Sequence, residues 1–458
     1  MHKLKKLIAT KDFYKRILLL AVPVMLQQGI TNTVSLLDTL MVASLGDYSL
    51  GGVAIVSNII FVLGALLIGS AAGAGIYIVQ FFGAKNYDKM RETFRARTYL
   101  VLLISIFGIV IAKVFGEDIL RLFLKEELAI SEGMKYLNVM IFTIIPLGII
   151  NLYASTYREN QHTMIPMIFG IIAVLVNLIG NYLLINGHFG FPKMGVEGAA
   201  LATLISRLVE VVLLISYAHY KKFIFAEKVF RTLYVSKDII KSVLFKTLPL
   251  MLNEFFWSMG MIMLNLSYSQ YGLVVVNAFT IASTINNLFF IIFGGLANGI
   301  AIIIGQELGA NRLEGLKLTA ARLITFGVVV CWGFGIILAI TSPFTPRLYG
   351  HISIESQLLA TKFMLLVSCF LWVYAYNASC FFILRAGGST LSALIFDSLF
   401  TWLLPVPIAV YVAFFMKGER PYIVYLYLFI QCLDFIKLTI GTIMIKRGKW
   451  IRNLTLRT

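Results

Sequence analysis

The sequence predicts an all-α polytopic membrane protein: twelve transmembrane helices arranged as two pseudo-symmetric six-helix bundles. Three observations predict it. Of the 458 residues, 59% are hydrophobic and 13% charged, whereas a soluble domain carries about 25% charged residues. Apolar runs of roughly 20 residues, the length that crosses a bilayer, recur from end to end. The chain also matches itself when shifted by 226 residues.

The first span, 17–43, follows a basic stretch and is too long for the apolar core of a cleavable signal, so it is expected to be retained. Spans 52–80, 94–115, 134–156, 164–186 and 195–218 complete the first half. The second half repeats the plan at 241–270, 277–304, 318–341, 360–383, 391–416 and 421–445. The longest connections, about 116–133 and 219–240, leave no room for a soluble domain. These limits divide the chain into an N-lobe (1–218), a basic linker (219–240) and a C-lobe (241–458).

The repeat runs through residues that apolar composition alone would not align. At an offset of 226, Pro23, Met25 and Leu26 fall on Pro249, Met251 and Leu252. Gly69, Gly73, Gln80, Gly83 and Ala84 recur as Gly295, Gly299, Gln306, Gly309 and Ala310. With a one-residue slip, Arg158 and Thr163 match Arg385 and Thr390. Six spans per half is an even number, so the halves share one orientation about an axis along the membrane normal. Transporters are often built this way.

The net charge of +17 is distributed along the membrane rather than in a domain. Lys3, Lys5, Lys6, Lys11, Lys15 and Arg16 precede the first span; Lys85, Lys89, Arg91, Arg95 and Arg97 follow the second. Lys221, Lys222, Lys228, Arg231, Lys237 and Lys241 lie in and beside the linker, and Lys446, Arg447, Lys449, Arg452 and Arg457 close the chain. The alternate connections are poor in Lys and Arg. This asymmetry predicts cytoplasmic termini, and with no basic domain to fold around a strand it excludes nucleic acid as a partner. The lipid bilayer is the expected environment, and a monomer the expected state. Cys331, Cys369, Cys380 and Cys432 all fall within spans without a CxxC or Cys/His pairing and read as small buried hydrophobes. No metal ligand set and no nucleophile constellation is present in the sequence, so neither a cofactor nor an enzyme is expected.

Ionisable residues inside spans are the candidate functional positions, because each costs roughly 2.5–3.5 kcal/mol on the insertion scale. Asp38 is the lone acid of the first span and closes a polar stripe with Ser35, Thr31, Gln28 and Gln27, while Leu26, Leu36 and Leu40 point elsewhere. In the fifth span Asn177 and Asn181 are four apart and share a face. Thr203 in the sixth span and Asn151 in the fourth complete a polar pocket. An acid among amides and hydroxyls, with no cation at hand, can exchange a proton or bind a small hard cation through oxygens.

A second group is paired between the repeats. Arg207 and Glu210 of the sixth span correspond to Asp434 and Lys437 of the twelfth, an i, i+3 ion pair of reversed polarity. Glu254, beside Asn253 in the seventh span, has Gln28 as its repeat mate, with Lys437 or a cytoplasmic Lys as a possible partner. Asp397 in the eleventh span reads as packing or capping.

Several of these stretches resemble one known family. AVPVMLQQ and LLDTLMVASLG of the first span, VNLIGNYLLINGHFGFPKMGVEGAALATLISR (176–207), YREN, FILRAGGST and the closing GKWIRNLT are similar to the multidrug and toxic compound extrusion (MATE) transporters. The resemblance covers essentially the whole chain. NEFFWSMG and the closing run resemble the DNA-damage-inducible F-like bacterial branch. It implies a V-shaped transporter of two six-helix lobes that exports organic compounds in exchange for H+ or Na+. Asp38 matches the family's coupling acid and Asn177 an amide of the same pocket. Many relatives carry Asp where this chain has Asn181, which leaves a single carboxylate there. The second-lobe acids of the Na+-coupled branch are unmatched: Glu254 lies one turn early and Trp257 occupies the expected place.

The expected function is therefore a drug/H+ antiporter working on small amphipathic or cationic organic substrates. A Na+-coupled antiporter is the near alternative. A flippase for lipid-linked oligosaccharides is the other, and it would want a strongly cationic cavity, whereas Arg207 and Lys437 each have an acid one turn away.

Overall fold

The computed structural model describes residues 8–348, 352–416 and 418–456, the side chains of 34–36 and 40 excepted. Lys3, Lys5, Lys6 and Arg457 of the basic termini lie outside the described residues.

Twelve long helical segments follow one another, α1 (Lys11–Ala43), α2 (Asp47–Gly83), α3 (Tyr87–Phe123), α4 (Glu127–Glu159), α5 (Met164–Asn186) and α6 (Gly195–Tyr220), then α7 (Lys237–Ser269), α8 (Leu273–Gly309), α9 (Leu316–Thr341), α10 (Ile354–Ala386), α11 (Thr390–Phe415) and α12 (Ile423–Arg447). Eleven of these are long and apolar enough to cross a membrane. The exception, α7, is as long as α1, but Lys246, Asn253 and Glu254 interrupt its apolar character. The protein is a multi-pass membrane protein.

The helices outrun the spans read from hydropathy. α3 has 37 residues and so reaches about 55 Å at 1.5 Å per residue, well beyond a bilayer core of about 30 Å. Its first turns, rich in Lys, Arg and Glu, remain helical because Asn86 accepts a hydrogen bond from the Lys89 amide and starts the helix. The expected loop at 116–133 shrinks to residues 124–126 for the same reason: polar ends hide helix from a hydropathy scale.

The linker is shorter than expected and folded. Residues 221–236 form turns docked on α3. Arg91 Nε donates to the Ile224 carbonyl (2.9 Å), Arg95 to the Val229 and Tyr234 carbonyls (2.9 and 3.1 Å), and Glu92 accepts from the Ser236 amide (2.7 Å). Two side chains counted from sequence as flanking charges, Arg91 and Arg95, are thereby spent on backbone carbonyls, and Glu92 on a backbone amide.

The chain divides into two compact units, one of Leu26–Phe255 and one gathering the chain up to Met25 with Phe256–Arg457. In the first, α2 packs on α3 and α4, and α5 on α6, around Val56, Leu67, Val101, Ile144 and Ala200. In the second, the corresponding α8 packs on α9 and α10, around Ile281, Phe363, Met364, Val367 and Tyr427.

The unit boundaries fall inside α1 and α7, a few residues beyond Pro23 and Pro249. The first half of α1 thus packs with α8, and the first half of α7 with α2. The repeated glycines make both crossings possible. A Cβ on Gly69 would stand 2.7 Å from Met251 Cα, and one on Gly73 would fall on Thr247. A Cβ on Gly295 would stand 2.5 Å from Met25 Cγ and 3.1 Å from the Ala21 carbonyl, and one on Gly299 would reach Ile17. The spacing that exposed the repeat is the spacing of two helix-sized notches.

Candidate cation-coupling site

Three helices of the unit Leu26–Phe255 bring one acid and three polar side chains into a continuous network. Asp38 sits on α1, five residues before the helix ends. Across from it, α5 presents Asn177 and Asn181 on one face because they are four residues apart. Asn181 is fully buried; its Nδ2 donates to Asp38 Oδ1 (2.5 Å) and lies 3.4 Å from Asn177 Oδ1. Asn177 Nδ2 donates to Thr203 Oγ1 on α6 (3.1 Å), and that hydroxyl donates to the Ala199 carbonyl (3.1 Å).

The donors run outward from Asn181: one branch ends on the Asp38 carboxylate, and the other passes through Asn177 and Thr203 to the Ala199 carbonyl. Both contacts of Asn181 use its nitrogen, which leaves Asn181 Oδ1 buried without a hydrogen-bond partner among the described residues. A buried acceptor in that condition costs about 1–3 kcal/mol. It is an oxygen placed beside a carboxylate and waiting for a proton donor or a cation.

Other residues of the expected pocket are arranged differently. Asn151 turns its amide back to the Leu147 carbonyl of its own helix (3.0 Å), so it serves α4 rather than the network. Thr31 bonds the Gln27 carbonyl (2.9 Å), and Gln27 reaches the Pro166 carbonyl on α5 (3.1 Å) over the bare face of Gly170. Gln28 bonds Asn32 (3.0 Å). The side chains of Ser35, Leu36 and Leu40 lie outside the described residues. Tyr136 on α4 is a neighbour the sequence did not mark: it is buried and within electrostatic range of Asp38. Nothing in the run SEGMKYLNVM distinguishes it from a core aromatic.

The paired charges of the repeats part company. Arg207 and Glu210 form the expected i, i+3 pair at 3.4 Å, with Glu210 buried. Lys437 does not pair with Asp434. Its ammonium lies 2.6 Å from Asp397 on α11, and the expectation that Asp397 serves packing or capping is corrected. The physical cause is local. Residues Ile395–Leu399 form a π-helical turn, which shifts the register of α11 and re-aims Asp397. α12 breaks at Leu433, immediately before Asp434. Asn253 is buried and Glu254 half-buried, both on α7 just before the unit boundary.

Two further features depart from the sequence reading. Arg97, counted there as a flanking cation, is fully buried and holds Glu159 through both terminal guanidinium nitrogens (2.7 and 3.0 Å), which also donate to Thr156 and Ser155. Cys331 and Cys380 are buried, but Cys369 and Cys432 are exposed on their helices. Among the described residues no three His, Cys, Asp or Glu side chains lie close enough to share a metal ion.

Comparison with known proteins adds to this geometry. A family profile described as MatE matches residues 23–183 and 249–411, one stretch in each repeat. The chain is 24% identical over 408 residues to the probable multidrug resistance protein YoeA of Bacillus subtilis strain 168, covering 88% of this chain and 87% of that protein. It is 25% identical over 431 residues to the probable multidrug resistance protein NorM of Thermotoga maritima, covering 89% and 87%. Among solved structures, a MATE in complex with MaL6 superposes with a TM-score of 0.85 at 19% identity, covering 96% of this chain and 99% of that one. An outward-facing multidrug resistance MATE family transporter of the MOP superfamily gives the same TM-score and identity, covering 97% of each.

Proposed function

Because the chain belongs to the MatE family of membrane transporters, we propose that it is a multidrug efflux antiporter that exports amphipathic cationic compounds by alternating access in exchange for protons. The observation that carries the coupling ion is the contact of Asn181 with Asp38, a single carboxylate beside an amide oxygen with no hydrogen-bond partner among the described residues.

The network has two self-consistent states. Ionised Asp38 accepts from Asn181 Nδ2, as described here. Protonated Asp38 becomes a donor, and Asn181 Oδ1 is the acceptor available to it once the amide rotates. Rotation withdraws Nδ2 from Asn177, so the change passes to Thr203 on α6. One proton thus alters contacts among α1, α5 and α6, as a coupling site must: the ion needs different contacts in the two states.

Na+ coupling is the second reading, and Asn181 Oδ1 favours it as well, since a hard cation takes oxygen ligands. Against it stands the presence of one carboxylate only. We place the protein in the cell membrane as a monomer with cytoplasmic termini, on the strength of its basic connections, and assign it no cofactor and no enzymatic activity.

The test is transport of a fluorescent organic cation in proteoliposomes under separately imposed H+ and Na+ gradients. The expected result is transport that follows the proton gradient and falls to background in Asp38→Asn. Wild-type rates in that variant, or transport that follows Na+ at fixed pH, would overturn the proton mechanism.

A further inference from the structure

Among the buried oxygens of the other unit without a hydrogen-bond partner, one lies beside an acid. Asn377 on α10 is 4% exposed. Its Nδ2 donates to the backbone carbonyl of Asp434 on α12 (3.2 Å). Turning the amide over would set two acceptor oxygens against each other, so its orientation is fixed. Asn377 Oδ1 is consequently buried without a hydrogen-bond partner among the described residues.

Asp434 itself is half-buried. Lys437, one turn further on, gives its ammonium to Asp397 rather than to Asp434 and lies over the Phe396 ring (5.3 Å). Asp434 is left with the weaker, longer-range attraction of that ammonium. In their ionised forms Asp397, Asp434 and Lys437 carry one net negative charge. Aromatic residues border them. Tyr374 donates its hydroxyl to Gln431 and packs on Phe290 (5.6 Å) and Phe293 (6.4 Å); Tyr374 and Tyr427 both lie within electrostatic range of Asp434. Tyr376 of α10 is likewise bonded to Thr442 of α12.

We propose that this corner recognises the protonated amine of a transported compound, with Asp434 taking its charge, Asn377 Oδ1 accepting an N–H, and Tyr374 flanking its hydrocarbon. The unsatisfied acceptor selects the chemistry. It rewards a cation that carries N–H donors over one that has none, such as a phosphonium or quaternary ammonium. A bare inorganic cation fits less well, because Asp397 already has its counterion and few oxygens remain. Lys437 acts as a tethered competitor, an ammonium that the ligand's own ammonium must match. The proposal rests on the efflux reading above and adds to it the functional group that this unit reads.

The experiment is equilibrium binding to the purified full-length protein of two probes at neutral pH, a dansylated alkyl diamine bearing a free primary amine and tetraphenylphosphonium, which has no N–H. Asn377→Leu is expected to weaken the amine probe roughly tenfold while leaving the phosphonium within about threefold. Asp434→Asn is expected to weaken both. Lys437→Gln, which raises the local negative charge, is expected to tighten both, a gain that a misfolded variant cannot imitate. Unchanged amine binding in Asn377→Leu and Asp434→Asn, equal losses of the two probes in Asn377→Leu, or no gain in Lys437→Gln overturns the site while efflux stands. If the wild-type protein binds neither probe, the efflux reading itself fails and the site falls with it.

Discussion

Asn181 donates to the Asp38 carboxylate with its nitrogen while its own carbonyl oxygen goes unpartnered. A purely structural amide would be expected to satisfy both ends.

Substituting this residue should separate its two contributions. Asn181→Leu removes both donor contacts and is expected to cost about 1–3 kcal/mol, read as a lowered midpoint in thermal unfolding of the solubilised protein. Asn181→Asp keeps the shape but sets two carboxylates at hydrogen-bonding distance, where both cannot readily ionise. The pH dependence of proton-driven transport is then expected to move alkaline by about one unit. A profile unchanged in Asn181→Asp would count against Asp38 as the titrating group.

The glycine notches are testable by contrast within one helix. Gly69→Ala puts a methyl 2.7 Å from Met251 Cα and 3.0 Å from the Leu250 carbonyl, both backbone atoms that cannot rotate aside. A loss of about 1–3 kcal/mol is expected. Gly64→Ala on the same helix meets only Leu147 Cδ2 at 3.6 Å, ordinary contact, and is expected to be neutral or to stabilise by up to about 1 kcal/mol through helix propensity. Equal unfolding midpoints for the two variants would argue against the close crossing.

Arg97 and Glu159 form a buried pair whose members should not be removed singly. Arg97→Met leaves the Glu159 carboxylate without its bidentate partner, and the expected cost is roughly 3–5 kcal/mol. Arg97→Met with Glu159→Met is expected to recover a substantial part of that loss. A double variant no more stable than Arg97→Met in the same unfolding assay would show that the ion pair is not the dominant interaction.

What could be read from sequence follows physical range. Asp38, Asn177 and Asn181 stood out because a polar side chain in an apolar helix is costly, and because i, i+4 spacing fixes a shared face without knowledge of neighbours. Asn151 obeyed the same cost argument but found its partner at i−4, which spacing cannot distinguish from a partner on another helix. Tyr136 was invisible because its significance lies only in what it touches. The Lys437–Asp397 pair was missed for a sharper reason. The i, i+3 rule considers one helix alone, and the π-helical turn in α11 brings Asp397 to Lys437 as a competing partner from another helix. Arg97 was misread because charge near a span end was counted as flanking, whereas its partner, Glu159, comes from another helix.

The division of α1 between two units also orders the birth of the molecule in time. The first half of α1 leaves the ribosome before α2, yet the notch that receives it, at Gly295 and Gly299, is made on the order of 270 residues later. At bacterial and eukaryotic elongation rates that is a delay of roughly 15–50 s. During it, Ile17, Ala21 and Met25 sit in the bilayer with no helix of their own unit to hold. Lipid or a chaperone must stand in for α8 until it arrives. The unit that contains the first half of α1 is therefore finished later than the unit that contains the second.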